Sequence, residues 1–121
     1  MVKALFDTNV LIDYLAGVKA AKAEFARYPN KAISTITWME IQVGTEPDDQ
    51  LKVDKFLLKF EVLPITMDVS SEAVGIRKQA RIKLPDAIIW ATARLEGRVL
   101  VTRNKKDFPS SDPGVRIPYA I

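Results

Sequence analysis

Four of the fifteen acidic residues stand where an apolar stretch ends or begins, which places them well for chemistry. Asp7 follows one apolar run, Glu40 lies within a turn of a second, Asp86 opens an apolar helix and Asp107 follows a last run. Carboxylates brought to one place repel one another, and a cation bound between them relieves that cost. Such a cation can orient and acidify a water that attacks a phosphodiester. The four acids therefore predict metal-assisted phosphodiester hydrolysis.

Each acid also has a simpler structural explanation. Glu40 has the spacing of a capping box with Thr37. Asp86 in a first helical turn complements the helix dipole, a gain of ~0.3–1 kcal/mol, and Asp107 could cap its own turn. Asp7 has no such simple explanation, because burying an unpartnered carboxylate at the end of a strand costs free energy. The chemical interpretation therefore depends on whether the four side chains converge.

The composition restricts the chemistry further. The chain has neither histidine nor cysteine, which excludes the common zinc sites, the Ser-His-Asp and Cys-His nucleophiles and imidazole acid–base catalysis. Any metal must be bound through oxygen, which favours Mg²⁺, Mn²⁺ or Ca²⁺. The net charge of +3 leans towards a polyanionic partner. Zero cysteines and the lack of a long apolar run or an export signal fit a cytoplasmic protein without a membrane span.

Short apolar strands alternate with longer amphipathic helices along the chain, which is typical of a parallel sheet. The predicted strands cover residues 2–6, 32–36, 62–66, 98–102 and, at an edge, 115–119. Pro64 also favours an edge position for the third strand. The helix over 87–95 is apolar nearly all round and should be buried. The predicted fold class is α/β: one domain over residues 1–121, with a parallel sheet of four to five short strands and helices on both faces.

Four segments resemble the motifs of a PIN domain, and within that superfamily those of VapC-type ribonuclease toxins of toxin–antitoxin pairs. The matching segments are FDTNVLID over 6–13, ITWMEI over 36–41, KLPDAIIWATA over 83–93 and LVTRNKKDF over 100–108. Each motif is loose alone, but their order and spacing span nearly the whole chain. The resemblance implies the PIN fold for this domain.

The resemblance also implies an endoribonuclease that depends on Mg²⁺ or Mn²⁺ and leaves a 5′-phosphate and a 3′-hydroxyl. Asp7 and Asp86 would ligate the metal directly, Asp107 directly or through water, and Glu40 would hold or activate a metal-bound water. The positions that orient this acidic quartet would be Thr8, Asn9, Thr102 and Asn104. The implied partners are RNA, a VapB-type antitoxin whose tail occupies the cleft, and a second copy of the chain.

Several further side chains receive expectations of their own. Arg103, Lys105 and Lys106 flank Asp107 and would hold RNA phosphates, although solvated surface is the usual place for such residues. Asp13 matches a frequent family acid and is expected to be solvated or hydrogen-bonded locally, without a catalytic role. Trp90 in the third motif stands where the family commonly has a small residue and would fill core space.

Alternative functions find less support. A receiver domain needs a phosphoacceptor acid directly after its third strand, where Asp68 is displaced into a helix start. A haloacid-dehalogenase-type phosphatase needs an aspartate where Asn9 stands, and the Walker phosphate loop of an NTPase is absent from the sequence. The serious alternative is a non-catalytic PIN-fold module that binds RNA or protein, which metal-dependent turnover would distinguish.

Overall fold

The computed structural model of the chain describes residues 1–120 and contains one five-stranded, fully parallel sheet. The strands are β1 (Ala4–Phe6), β2 (Lys31–Ser34), β3 (Glu61–Leu63), β4 (Val99–Val101) and β5 (Val115–Arg116). Their spatial order is β3-β2-β1-β4-β5, so β1 lies at the centre and β3 and β5 form the edges. The predicted parallel sheet, the edge position of β3 and the short fifth strand are confirmed.

Six α-helices and one short 3-10 helix connect the strands. The α-helices are α1 (Thr8–Leu15), α2 (Lys19–Ala26), α3 (Thr35–Val43), α4 (Gln50–Leu57), α5 (Met67–Ala80) and α6 (Leu84–Leu95), and the 3-10 helix covers Pro47–Asp49. Residues 104–108 form a turn. Within residues 1–120, no helix is long and apolar enough to cross a bilayer.

Two apolar cores lie on opposite faces of the sheet, which confirms helices on both faces. Successive strand residues point to opposite faces, so Leu5 joins one core while Ala4 and Phe6 join the other. The first core packs α5 and α6 against the sheet, and the second packs α1, α2 and α4 there. The sheet is therefore a buried central layer, as its continuous apolar strands require.

Helix α6 follows the expectation of burial as far as Ala93, whereas Arg94 and Leu95 at its end are exposed. The side chains from Ile89 to Ala93 are buried, whereas Leu95 is exposed. Trp90 packs edge-on against Phe108 with ring centroids 5.4 Å apart, which confirms that this tryptophan fills core space. Phe108 is completely buried, and it therefore anchors the turn that follows β4.

The predicted capping box between Thr37 and Glu40 is wrong. The strand β2 ends at Ser34, and the Ser34 hydroxyl caps α3 by accepting a hydrogen bond from the Ile36 amide at 3.2 Å. Because the helix begins earlier than expected, Thr37 lies inside it and is completely buried. Glu40 is consequently free to point towards another element.

Arg98 is buried at the amino edge of the sheet, opposite the predicted site, and its side chain donates hydrogen bonds to three residues. Its Nη1 donates to the Ala4 carbonyl at 3.2 Å and to Oδ1 of Asn30 at 2.7 Å. Its Nη2 donates to Glu61 at 3.2 Å, so one side chain ties together residues of β1, β3 and the start of β4. This contact was not anticipated, because the sequence shows no local partner for Arg98.

Candidate active site

Asp7 continues directly from the central strand and ends it as a buried carboxylate. Its amide donates to the Val101 carbonyl at 2.9 Å, and the residue then caps α1 in an extended conformation. Oδ1 accepts from the Thr8 amide at 2.7 Å, and Oδ2 accepts from the Thr102 hydroxyl at 2.8 Å and from Nδ2 of Asn9 at 3.2 Å. A carboxylate can accept about four hydrogen bonds, so Asp7 keeps capacity for a ligand.

Glu40 reaches the same edge of the sheet from α3. The Thr8 hydroxyl donates to Oε1 of Glu40 at 2.7 Å and lies 3.0 Å from Oγ1 of Thr37. The buried Thr37 therefore supports the side chain that orients Glu40. Since Glu40 itself is solvent-exposed, a carboxylate held by Thr8 is open to a substrate or a water.

Asp107 is fixed by the turn after β4 through a reciprocal pair of hydrogen bonds. Nδ2 of Asn104 donates to Oδ2 of Asp107 at 3.0 Å, and the Asp107 amide donates to Oδ1 of Asn104 at 3.3 Å. The Asn104 amide donates to the Thr102 hydroxyl at 3.1 Å. Because the Thr102 hydroxyl also donates to Asp7, one threonine links both acids.

Asp86 lies in the first turn of α6, two residues after Leu84 and directly after Pro85. A helix that leads into a parallel strand begins at the carboxyl edge of the sheet, which brings Asp86 to the end of the strands that Asp7 and Asp107 follow. The side chain is half-buried. All four predicted acids are therefore delivered to one edge, each from a different element.

The electrostatics of these acids show that their charges interact. Burial is the main cause that raises the pKa of Asp7 to about 6, and the charges on Asp86 and Glu40 raise it further, against the hydrogen bonds from Thr102 and Thr8. Burial also raises the pKa of Asp86, and the carboxylates of Asp107 and Glu40 add to the shift. The site thus carries a surplus of negative charge.

The donor set suits a hard divalent cation chemically, since it consists of carboxylate, hydroxyl and amide oxygens. Within residues 1–120, however, no group of three or more acidic side chains is already gathered at metal-binding spacing. The carboxylates of Asp7 and Asp107 are each hydrogen-bonded to neighbouring side chains, Asp7 to Thr102 and Asp107 to Asn104. The chemistry of the oxygen donors therefore fits a divalent cation, although the acids are not gathered around one point.

The three flanking basic residues have different environments. Lys105 and Lys106 are exposed to solvent, whereas the Arg103 guanidinium is bound to Asp13. Nε and Nη2 of Arg103 donate to the Asp13 carboxylate at 2.6 and 3.3 Å, and the Tyr119 hydroxyl donates to the same carboxylate at 2.8 Å. The expectation of a solvated or locally bonded Asp13 is therefore wrong, because Asp13 is buried and its partners lie at the far end of the chain.

The burial of two carboxylates, those of Asp13 and Glu24, was not predicted from the sequence. Asp13 and Glu24 both lie on helical faces that are otherwise apolar, and each pairs with an arginine and a tyrosine. Asp13 follows Val10 by three residues and so shares its inward face. That spacing was the available signal for a buried acid, although it could not reveal the partner.

A parallel α/β sheet with four interacting carboxylates at its carboxyl edge defines a candidate nuclease-type site. The family profile of the PIN domain matches residues 4–110, and the chain belongs to this family. It is similar to Ribonuclease VapC10 of Mycobacterium tuberculosis, with 30% identity over 97% of this chain and 93% of that one.

Solved structures of toxin–antitoxin complexes contain chains with the same fold. A chain of a toxin–antitoxin complex from Klebsiella pneumoniae superposes with a TM-score of 0.92 and 45% identity, covering 98% of this chain and all of the other. A chain of the DNA-bound VapBC complex from Salmonella typhimurium superposes with a TM-score of 0.81 and 26% identity over 96% of each chain. The fold is therefore shared along nearly the whole chain.

Proposed function

We propose that the protein is a metal-dependent endoribonuclease and acts as the toxin of a VapBC-type toxin–antitoxin pair. The observation that carries this proposal is the meeting of Asp7, Glu40 and Asp86 at one sheet edge, where burial first, and then the neighbouring carboxylates, raise the pKa values of Asp7 and Asp86. Asp107 adds a fourth charge beside Asp86. The similarity to a chain named ribonuclease and to chains of toxin–antitoxin complexes supports the same function.

The proposed cofactor is Mg²⁺ or Mn²⁺, held by Asp7, Asp86 and Asp107. When bound, such a cation neutralises the scissile phosphate and lowers the pKa of an attacking water. Glu40 is the group that would accept a proton from that water, because Thr8 holds its carboxylate while leaving it exposed. Thr102 would favour the anionic form of Asp7, and together with Asn9 it would orient the carboxylate, since both donate to it.

Lys105 and Lys106 are the residues that we expect to hold the RNA backbone, because both ammonium groups are exposed beside Asp107. Arg103 would contribute less to this binding, since Asp13 already offsets its charge. Phosphate contacts of this kind position the strand and carry little sequence information. The proposed partners besides RNA are an antitoxin and a second copy of the chain, and the proposed compartment is the cytoplasm, which the lack of cysteine fits.

The deciding experiment is cleavage of a mixed pool of single-stranded and structured RNA by the purified protein. Reactions with Mg²⁺, with Mn²⁺ and with EDTA would be run beside Asp7→Asn and beside Asp48→Asn, a control that removes an exposed acid of the 3-10 helix. We expect metal-dependent cleavage by the wild type and by Asp48→Asn, and none by Asp7→Asn. Equal cleavage by Asp7→Asn would refute the site, and RNA binding without metal-dependent turnover would favour a non-catalytic module.

A further inference from the structure

Asp13 is a buried carboxylate of α1 that the proposed chemistry does not use. It is 6% exposed, and it accepts hydrogen bonds from Arg103 and Tyr119, which lie 90 and 106 residues further along the chain. A buried carboxylate is tolerated only when several donors satisfy it. The cost of burying Asp13 is therefore offset by contacts that join three separate parts of the chain.

Arg103 connects this carboxylate to the candidate site. It follows Thr102, whose hydroxyl donates to Asp7, and its own amide donates to Oδ1 of Asn9 at 3.3 Å. Its guanidinium donates two hydrogen bonds to the Asp13 carboxylate. Two such bonds fix the orientation of the two side chains as well as the distance between them. The start of the turn over 102–107, which carries Asp107, is thus held against α1 by backbone and side chain together.

Tyr119 brings the segment after β5 to the same point. Its ring packs against the second apolar core while its hydroxyl reaches Asp13. A tyrosine hydroxyl is a donor at neutral pH even without a pKa shift, and burial, together with the carboxylate of Asp13, raises the pKa of Tyr119 further. The segment after β5 therefore supplies a donor to the same carboxylate that Arg103 contacts.

We propose that Asp13, Arg103 and Tyr119 form a positioning cluster, which holds the turn over 102–107 where Asp107 can join Asp7 in binding a divalent cation. This inference rests on the proposed function for the identity of the ligand. Asp13 and Tyr119 have no proposed contact with substrate, and the cluster would act on the metal-binding acids through Thr102, Asn9 and Asn104. Substituting residues that orient metal-binding side chains from outside the site typically lowers metal affinity or activity by about 10–100-fold.

The chain supplies a matched control in Tyr28. Its hydroxyl donates to the buried carboxylate of Glu24 at 3.2 Å, and Arg116 grips Glu24 as Arg103 grips Asp13. In the described residues, neither Tyr28 nor Glu24 is hydrogen-bonded to a residue of the candidate site. Tyr28→Phe therefore removes the same chemical group from the same kind of pair. Among the described hydrogen bonds, this pair meets the candidate site only through the Arg116 carbonyl, which accepts from the Thr102 amide at 3.1 Å within the β4–β5 pairing. The Tyr28→Phe variant leaves that backbone contact in place, and it has no counterpart of the side-chain contacts that join Arg103 to the turn carrying Asp107.

The test compares Tyr119→Phe with Tyr28→Phe in the full chain. Three quantities would be measured: the Mg²⁺ dissociation constant by calorimetry, amide hydrogen exchange at residues 103 and 107 in metal-free protein, and kcat and KM for RNA. For Tyr119→Phe we expect Mg²⁺ affinity to fall about tenfold, exchange at both amides to accelerate, and kcat to fall with KM unchanged. For Tyr28→Phe we expect lower thermal stability with wild-type values of all three.

Equal Mg²⁺ affinity and equal exchange in the two variants would overturn the proposal, because the cluster would then be only a stabilising contact. A wild-type protein that binds no Mg²⁺ and cuts no RNA would instead refute the proposed function, and the exchange rates would still decide whether Tyr119 holds the turn. Arg103→Lys serves as a second variant. This variant keeps the positive charge but cannot form the two parallel hydrogen bonds to Asp13. The proposal therefore requires the same loss of Mg²⁺ affinity and the same faster exchange as in Tyr119→Phe.

Discussion

The Thr8 hydroxyl donates a 2.7 Å hydrogen bond to Oε1 of Glu40 and thereby joins the first turn of α1 to α3. The contact spans 32 positions of sequence. It gives an otherwise exposed glutamate one preferred direction at the edge of the sheet. Thr37 packs beneath the same hydroxyl at 3.0 Å and limits its movement.

Replacing Thr8 with valine should separate orientation from stability. We expect Thr8→Val to lower kcat for RNA cleavage about tenfold, because Glu40 loses the donor that fixes it. The free energy of unfolding should change by no more than about 1 kcal/mol, since this hydrogen bond is exposed. Cleavage rates and thermal melts would be compared with Thr8→Ser, which keeps the hydroxyl. A wild-type rate in Thr8→Val would show that Glu40 needs no such support.

Removing the charge of Asp7 should stabilise the metal-free protein at neutral pH. The pKa of Asp7 is about 6 in the folded state and 3.8 when unperturbed, so the folded state holds this proton more tightly. The contribution of Asp7 to the free energy of unfolding therefore falls as the pH rises from 4 to 6, by about 3 kcal/mol in full. Above that window the penalty is fully present.

Asp7→Asn should accordingly melt at a higher temperature than the wild type at pH 8 in EDTA, with the difference shrinking as the pH falls towards 4. Its gain will be smaller than the full penalty, because asparagine cannot accept all the hydrogen bonds of Asp7, and each lost bond costs about 1 kcal/mol. Melting curves across this pH range provide the measurement. A variant less stable than the wild type at pH 8 would identify Asp7 as a structural anchor.

A divalent cation should stabilise the protein, and it should do so more strongly at higher pH. Binding to the folded state alone raises the melting temperature by mass action. Because protons compete with the cation for Asp7, the increase produced by Mg²⁺ should be larger at pH 8 than at pH 5.5. EDTA should reverse it, and Asp7→Asn should show little of it. An equal increase at both pH values would argue against Asp7 as a ligand.

Reversing the charge of Lys105 or Lys106 should weaken RNA binding without altering the chemical step. Each lost phosphate contact should reduce the slope of log affinity against log salt by about 0.7 for single-stranded RNA. We expect KM to rise and kcat at saturating RNA to remain at the wild-type value. Lys3→Glu is the matched control, since Lys3 is exposed before β1 at the opposite edge of the sheet. Similar effects of all three variants would indicate only a non-specific loss of positive charge.

Much of the fold was predictable because the strands and helices have strong local signatures. The strands are short apolar runs buried on both faces, and the stripes on the helices match the side chains that pack against the sheet. The element boundaries were less accurate. For example, Ser34 proved to be both the end of β2 and the cap of α3, whereas the sequence pattern extended the strand to Ile36.

The sequence by itself determined which four acids stand at the end of a strand or at the start of a helix, and therefore the edge of the sheet at which they were predicted. Parallel strands end on one side, so residues that directly follow them lie at the same edge. Only the tertiary structure decided the hydrogen-bond partners of the acids: Thr8 for Glu40, Thr102 for Asp7 and, outside the predicted four, Arg103 with Tyr119 for Asp13. Hydrogen bonds between residues many positions apart leave no periodic pattern, because they depend on distances that exist only after the layers have packed.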